Sequence, residues 1–303
     1  MNKEVNDFRK IGIFTDAHGL LEPTEAALKD MYAKGVTEIY SLGDNIGLGP
    51  NPGKVMNILK EYNVKSIAGN SEDYVTLGLA PFNYIMGLRA YSNLWTLSHL
   101  NEHQIGEINL FPHSIDLLLG GKNIALCHFA NDVRIDYDYH STLTYQNSLE
   151  RGEEAYKQFL YTNSDDQKAF IEKMITAYGS DDDMIKGYLS AHKKPLFESK
   201  QVDFYNMVLQ GHVHWKLHER NDKTEFYTLR AVGMGYKEDP VDTASYVILE
   251  ETLEGLKVSE NLVKYDREKM IYAILRSDEP SGLIKRYACV SDSGFGSRSL
   301  RRF

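Results

Sequence analysis

Cysteine is scarce: Cys127 and Cys289 are the only two in 303 residues. That is too few for a disulfide framework or a thiolate zinc site, and it fits a reducing, cytoplasmic setting. No apolar run is long enough to span a bilayer, so no membrane association is expected. The opening residues, MNKEVNDFRK, have no apolar core and do not read as a secretion signal. Positive charge is also short, with 34 Lys and Arg against 43 Asp and Glu and a formal net charge of -9. A protein that reads a phosphate backbone usually presents a basic surface, so no nucleic-acid partner is expected, although a local basic pocket is allowed. Internal repeats are absent. What remains is 42% hydrophobic and 25% charged, an ordinary globular composition. The length suits one large domain, or one domain with an insertion.

The first seventy residues alternate between two patterns. KIGIFT, TEIYSL and VKSIA are short apolar runs of strand type. Between them lie PTEAALKDMYAKG, with Ala27, Leu28 and Met31 at helical spacing and Gly35 as a stop, and NPGKVMNILKEYN, with Val55, Ile58, Leu59 and Tyr62 on one face. This order predicts βαβ units around a parallel core, an α/β or layered α+β fold. NIALCHF, YNMVLQ, FYTLRAV and ASYVILEE read as further strands. Residues 131–200 break the rhythm with two helical patterns and read as a helical cap inserted in a single domain spanning 1–303. Residues 291–303 are small, polar and basic, and read as a flexible tail.

The chemistry lies just past the apolar runs. Asp16-Ala17-His18 follows IGIFT, Gly43-Asp44 follows IYSL, and Gly69-Asn70 follows KSIA. His128 follows IALC, and Gly211-His212-Val213-His214 follows MVLQ. Each fragment alone is weak: Gly-Asp is commonly a turn, and a lone His is commonly a packing residue. The coincidence carries the weight, because ligands of open α/β sheets sit beyond the carboxyl ends of strands. Four His, two Asp and one Asn offer nitrogen and oxygen donors with no thiolate, a set suited to Mn, Fe or Zn. Seven donors exceed the needs of one ion and suit two that share a carboxylate. GLGPNPG after Asp44 departs from the dinucleotide pattern, and its prolines remove backbone donors, so it reads as a rigid turn placing Asp44.

This ordered set, D-x-H, G-D, G-N, H and G-H-x-H, resembles the calcineurin-like metallophosphoesterases over roughly residues 10–250. The run GDNIGLGPNP is similar to the bacterial phosphodiesterase branch, which includes asymmetric diadenosine tetraphosphate hydrolases. The resemblance implies a four-layer α/β/β/α sandwich and two divalent or trivalent metal ions. It implies that Asp16, His18, Asp44 and His214 hold one ion, that Asp44, Asn70, His128 and His212 hold the other, and that Asp44 bridges them. The implied reaction is hydrolysis of a phosphodiester or phosphoanhydride by in-line attack of a hydroxide held between the metals, with Asp44, Asn70 and His212 closest to the chemistry. A general phosphodiesterase with other substrates and a non-catalytic scaffold are the alternatives. A retired site sheds ligands, and here every ligand position is filled, which favours the enzyme.

Two positions depart from the family pattern. LRAVGMG (Leu229 to Gly235) stands where relatives often carry Asn-Pro-Gly-Ser, a change expected to touch no metal ligand. Ser71 stands where a catalytic His usually follows the Asn. Serine is a poor acid near neutrality, and an alkoxide leaving group needs one, whereas a phosphate or nucleotide leaves as a stable anion. Substrates such as diadenosine polyphosphates or ATP are therefore expected. His140, in the cap, is the best-placed substitute acid among it, His99 and His218. Arg134, Tyr137 and Tyr139 of the cap are candidate substrate contacts, since arginine forks onto phosphate and tyrosine stacks on bases.

Overall fold

The computed structural model describes residues 8–76, 92–93, 95–128, 204–212, 214, 216–220, 222–234 and 242–279. In chain order the elements are β1 (Lys10–Phe14), α1 (Leu21–Ala33), β2 (Glu38–Ser41), α2 (Pro52–Glu61), β3 (Lys65–Ser66), α3 (Asn70–Thr76), α4 (Glu102–Ile108), β4 (Ser114–Leu119) and β5 (Lys122–Cys127). They continue with β6 (Met207–Gln210), β7 (Leu217–Arg220), β8 (Glu225–Thr228), β9 (Thr243–Thr252), β10 (Gly255–Lys264) and α5 (Arg267–Arg276). The helical cap expected at 131–200 and the tail expected at 291–303 lie outside the described residues.

Two five-stranded mixed sheets pack face to face, in the orders β10-β9-β1-β2-β3 and β4-β5-β6-β8-β7. The parallel core read from the sequence is present in both: β1, β2 and β3 run parallel, as do β5, β6 and β8. Antiparallel strands flank each core. Period-two patterning explains the layering. On β1, Ile11 and Ile13 point between the sheets, where they meet Ile124 and Leu126 of β5 and Met207 and Leu209 of β6. On β9, Val247 and Leu249 join that inner layer, while Ala244, Tyr246 and Ile248 face the helices. Full burial of an Ile or Leu contributes roughly 1.5–3 kcal/mol.

Helices α1, α2 and α4 cover the outer face of the first sheet through Leu28, Met31, Val55, Leu59 and Ile108. Helix α1 approaches β1 so closely that a Cβ on Gly12 would stand 2.5 Å from Met31 Sδ. Pro52 opens α2, where its missing N–H costs nothing. Ala125, Cys127, Val208 and Phe226 are buried on the outer face of the second sheet. No helix among the described residues is long and apolar enough to cross a membrane.

Several elements leave little imprint on the sequence. Strand β10 is an edge strand with no fully buried residue, so its apolar alternation is faint. Helix α5 buries only Met270 and Ile274. Helix α4 has seven residues and announces itself chiefly by its capping box, Asn101 with Gln104. Strand β3 shrinks to Lys65–Ser66, although Ile67 and Ala68 beyond it stay buried.

Candidate metal centre

All five polar fragments come to the carboxyl ends of parallel strands of the two sheets. Main-chain hydrogen bonds sew their turns together. Asp16 N donates to Gly43 O at 3.0 Å, His18 N to Asp44 O at 2.8 Å, and Gly211 N to His128 O at 3.0 Å. Among the described residues, seven non-glycine residues have positive φ, and five of them are Asp16, His18, Asp44, His212 and His214. Each such backbone costs roughly 1 kcal/mol or more, and such strain clusters at functional sites.

The seven side chains form two groups. In the first, His18 Nε2 and His214 Nε2 lie 3.0 Å apart, with Asp16 Oδ1 at 3.3 Å from His214 and 3.8 Å from His18. In the second, His128 Nε2 lies 3.1 Å from both Asn70 Oδ1 and His212 Nδ1, and 3.5 Å from Asp44 Oδ1. Asp44 joins them, because its Oδ2 lies 3.5 Å from His18 Nε2. Ligand atoms of Asp16, His18 and His214 all fall within 4.8 Å of one another, and so do those of Asp16, Asp44 and His128. Asp16 therefore stands near both groups, not only the first.

The donor set fits a cation. Asp16 Oδ1 is buried and accepts no hydrogen bond. Nitrogen and oxygen lone pairs converge with few protons between them, an arrangement that a positive charge stabilises. Asp16, His18, Asp44 and His128 are buried, while Asn70, His212 and His214 are half-buried. Solvent thus reaches one side of the cluster, as a catalytic metal site requires and a structural one does not.

Electrostatics point the same way. Burial works against ionisation of Asp16, but His214, His128 and His18 outweigh it and hold the carboxyl well below the usual range. Asp44 is likewise lowered: burial opposes it, and His128 and His18 prevail. Burial also works against a charged His128, yet Asp44 and Asp16 raise it to about 9. Its Nδ1 faces Leu42 O at 2.7 Å, so the titrating position is Nε2, the atom facing Asn70, His212 and Asp44. A positive charge is therefore favoured at the centre of the second group. Burial and the charge on His128 push His212 down to about 3, leaving a neutral imidazole.

Supporting residues complete the centre. Thr15 Oγ1 and His212 N both donate to Asp16 Oδ2, at 2.8 and 2.9 Å. Glu72 is buried beneath Asp44 and accepts main-chain N–H bonds from both neighbouring turns. Burial, then Asp44, raises it to about 7. Glycines give the turns room: a Cβ on Gly69 would stand 2.3 Å from Asp44 Oδ1, and one on Gly211 would stand 2.0 Å from Thr15 Oγ1. Leu20, Leu48, Ala231 and Met234 pack under the turns against Met270 and Ile274 of α5.

Ser71 sits in the first turn of α3. Its N–H donates to Asp44 Oδ1 at 2.7 Å, and its hydroxyl is buried without a hydrogen-bond partner, 3.4 Å from where a Cβ on Gly47 would lie. Residues Leu229–Val232 touch a ligand turn, contrary to expectation. Ala231 N donates to His214 O at 3.2 Å and Val232 N to Thr15 O at 2.9 Å, so this stretch supports a ligand turn directly. His99 stacks on Trp95, and His218 stacks on Tyr227; neither joins the cluster. Arg134, Tyr137, Tyr139 and His140 lie outside the described residues. Thr15 and Glu72 lack a metal-ligand pattern of their own, and only their places beside D-x-H and G-N mark them in the sequence.

The paired five-stranded mixed sheets form a metallophosphoesterase fold, which solved structures share. A metallophosphoesterase from Sphaerobacter thermophilus is 20% identical with a TM-score of 0.57, the match covering 92% of this chain and 98% of that one. A hypothetical protein from Pyrococcus horikoshii OT3 is 15% identical with a TM-score of 0.60, covering 95% and 99%. In sequence, the chain is 24% identical over 276 residues to an uncharacterised protein of Methanocaldococcus jannaschii, covering 91% of this chain and 96% of that protein. No protein-family model matches.

Proposed function

We propose that the chain is a metal-dependent phosphoesterase with a dinuclear centre. The observation that carries this reading is Asp44, whose Oδ2 faces the His18 group and whose Oδ1 faces the His128 group. Asp16, His18, Asp44 and His214 would hold one ion, and Asp44, Asn70, His128 and His212 would hold the other. Mn, Fe or Zn fits these nitrogen and oxygen donors. Bound metal ions supply Lewis acidity, lowering the pKa of water and neutralising charge on phosphoryl oxygens.

The chain's own residues set the rest. His128 is oriented by Leu42 O, which aims Nε2 at the centre. Asp16 is held by Thr15 and His212 N so that Oδ1 is presented. Ser71 offers its N–H to Asp44, while its hydroxyl is turned into the protein and protonates nothing at the open face. A substrate whose leaving group departs as a stable anion matches this arrangement. We therefore assign phosphoanhydrides and activated diesters of small nucleotides, such as diadenosine polyphosphates or ATP, as the substrate class, acting in the cytoplasm without nucleic-acid partners.

The test is product analysis of diadenosine tetraphosphate incubated with Mn-loaded protein, against a chelated control. Metal-dependent formation of ATP and AMP is expected. No turnover by protein carrying two Mn ions would withdraw the substrate assignment.

A further inference from the structure

We infer that Glu72 is a positioning residue that sets the geometry between Asp44 and Asn70, and through it the second metal-binding group. The inference rests on the dinuclear reading above. Glu72 is 1% exposed. Its Oε2 accepts from Asp44 N and from Gly69 N, both at 2.8 Å, and its Oε1 accepts from Asn45 N at 2.7 Å. One carboxylate thereby ties the turn after β2 to the turn after β3. Asp44 and Asn70 are the candidate ligands those two turns carry. The adjacent Ser71 N–H then fixes the Asp44 carboxylate itself, through Oδ1 at 2.7 Å. Helix α3 thus grips Asp44 at its main chain and its side chain from consecutive residues.

A carboxylate is required by count. Among the described residues three N–H donors converge on its two oxygens, and only a carboxylate accepts on both. Glutamine has nearly the same shape, but its NH2 group would oppose at least one of these donors. Among the described residues, the main-chain groups that Glu72 accepts from belong to the Asp44 and Asn70 turns and not to those of Asp16 and His214. The Asp16 turn is tied to the Asp44 turn at the main chain, but the Asp16 carboxylate itself is held by Thr15 and His212 N, and His214 O by Ala231 N. Loss of the Glu72 carboxylate is therefore felt chiefly in the group of Asn70, His128 and His212.

The experiment compares full-length wild type, Glu72→Gln and Glu72→Asp by Mn(II) calorimetric titration and Mn(II) electron paramagnetic resonance, at a temperature where circular dichroism shows each to be folded. Wild type should bind two equivalents and give the broadened signal of a coupled pair. Glu72→Gln should bind the first equivalent within threefold of wild type and the second at least tenfold more weakly, with the six-line signal of isolated Mn(II) at one equivalent persisting at two. Glu72→Asp, which keeps both oxygens on a shorter arm, should recover part of the second affinity. Two equivalents bound by Glu72→Gln as tightly as by wild type would overturn the inference and leave the dinuclear reading standing. Equal weakening of both equivalents would make Glu72 a general scaffold residue and overturn its specific role. Fewer than two equivalents in wild type would remove the dinuclear reading itself.

Discussion

The main-chain N–H of His212 donates to Asp16 Oδ2 at 2.9 Å, across 196 residues of sequence and from one sheet to the other. Thr15 Oγ1 donates to the same oxygen at 2.8 Å, which leaves Oδ1 facing His18 and His214. Hydrogen bonds to a charged group are worth about 1.5–3 kcal/mol. Thr15→Val removes one donor while keeping the shape, so the carboxylate can turn. Mn(II) affinity at the first group should fall roughly tenfold, since each 1.4 kcal/mol is about a factor of ten. Calorimetric titration measures it, and unchanged affinity would remove Thr15 from this role.

Gly211 tolerates no side chain. A Cβ there would stand 2.0 Å from Thr15 Oγ1 and 2.8 Å from Asp16 Oδ2. Overpacking of this kind costs roughly 1–3 kcal/mol. Gly211→Ala should lower the melting temperature and reduce turnover in the proposed reaction by about two orders of magnitude, because about 1 Å of misplacement at a reacting centre has that effect. Thermal unfolding and single-substrate kinetics on the same preparation check both.

Ser71→Ala should be silent. The hydroxyl is buried without a partner, and removing an unsatisfied polar atom is neutral or stabilising. Turnover of the proposed nucleotide anhydride substrate should stay within about twofold, since no general-acid contribution of the usual ~10²–10⁴-fold size is being removed. A hundredfold loss would show that Ser71 takes part in proton transfer after all.

Metal removal should destabilise the protein. Five of the candidate ligands hold strained backbones, and their ring nitrogens crowd one another at 3.0 and 3.1 Å. A ligand that binds only the folded state stabilises by about 2.7 kcal/mol at a hundred times its dissociation constant. The melting temperature should therefore rise with Mn(II) concentration and drop on chelation. Identical melting curves with and without metal would contradict a metal centre.

Acid should remove a contribution made by Glu38 at the far end of the first sheet. Hydrogen bonds from Lys65 and Arg9 outweigh burial and lower this carboxyl from 4.5 to about 2. A depressed folded value means the contribution is complete above pH 4.5 and is lost as pH falls through about 2. The pairs are partly exposed, so about 0.2–1 kcal/mol is expected. Urea unfolding of wild type and Glu38→Gln between pH 6 and pH 2.5 should show a gap that narrows only in the lower part of that range. A gap independent of pH would refute the charge assignment.

Local patterns made much of this architecture legible. Alternation on β1, β5, β6 and β9 and the stripes of α1 and α2 are strong because these elements are buried on one or both faces. Edge strand β10 and the short α4 bury too little to leave a clear imprint. The support that Leu229–Val232 gives a ligand turn is invisible in sequence, because it acts through Ala231 N and Val232 N, and main-chain bonds leave no trace in residue type.

By itself, the amino-acid sequence determined the donor types and their order: two Asp, one Asn and four His, each just past an apolar run. Strand patterning is local, so a parallel core and a polar edge follow from it. Tertiary structure alone decided which donors share a group, that Asp44 faces both, that Asp16 presents Oδ1, and that the Ser71 hydroxyl is turned inward. These depend on contacts between turns far apart in sequence, where tenths of an ångström and the rotation of one carboxylate set the outcome. No periodicity in the chain encodes such distances; they arise only when the two sheets close on one another.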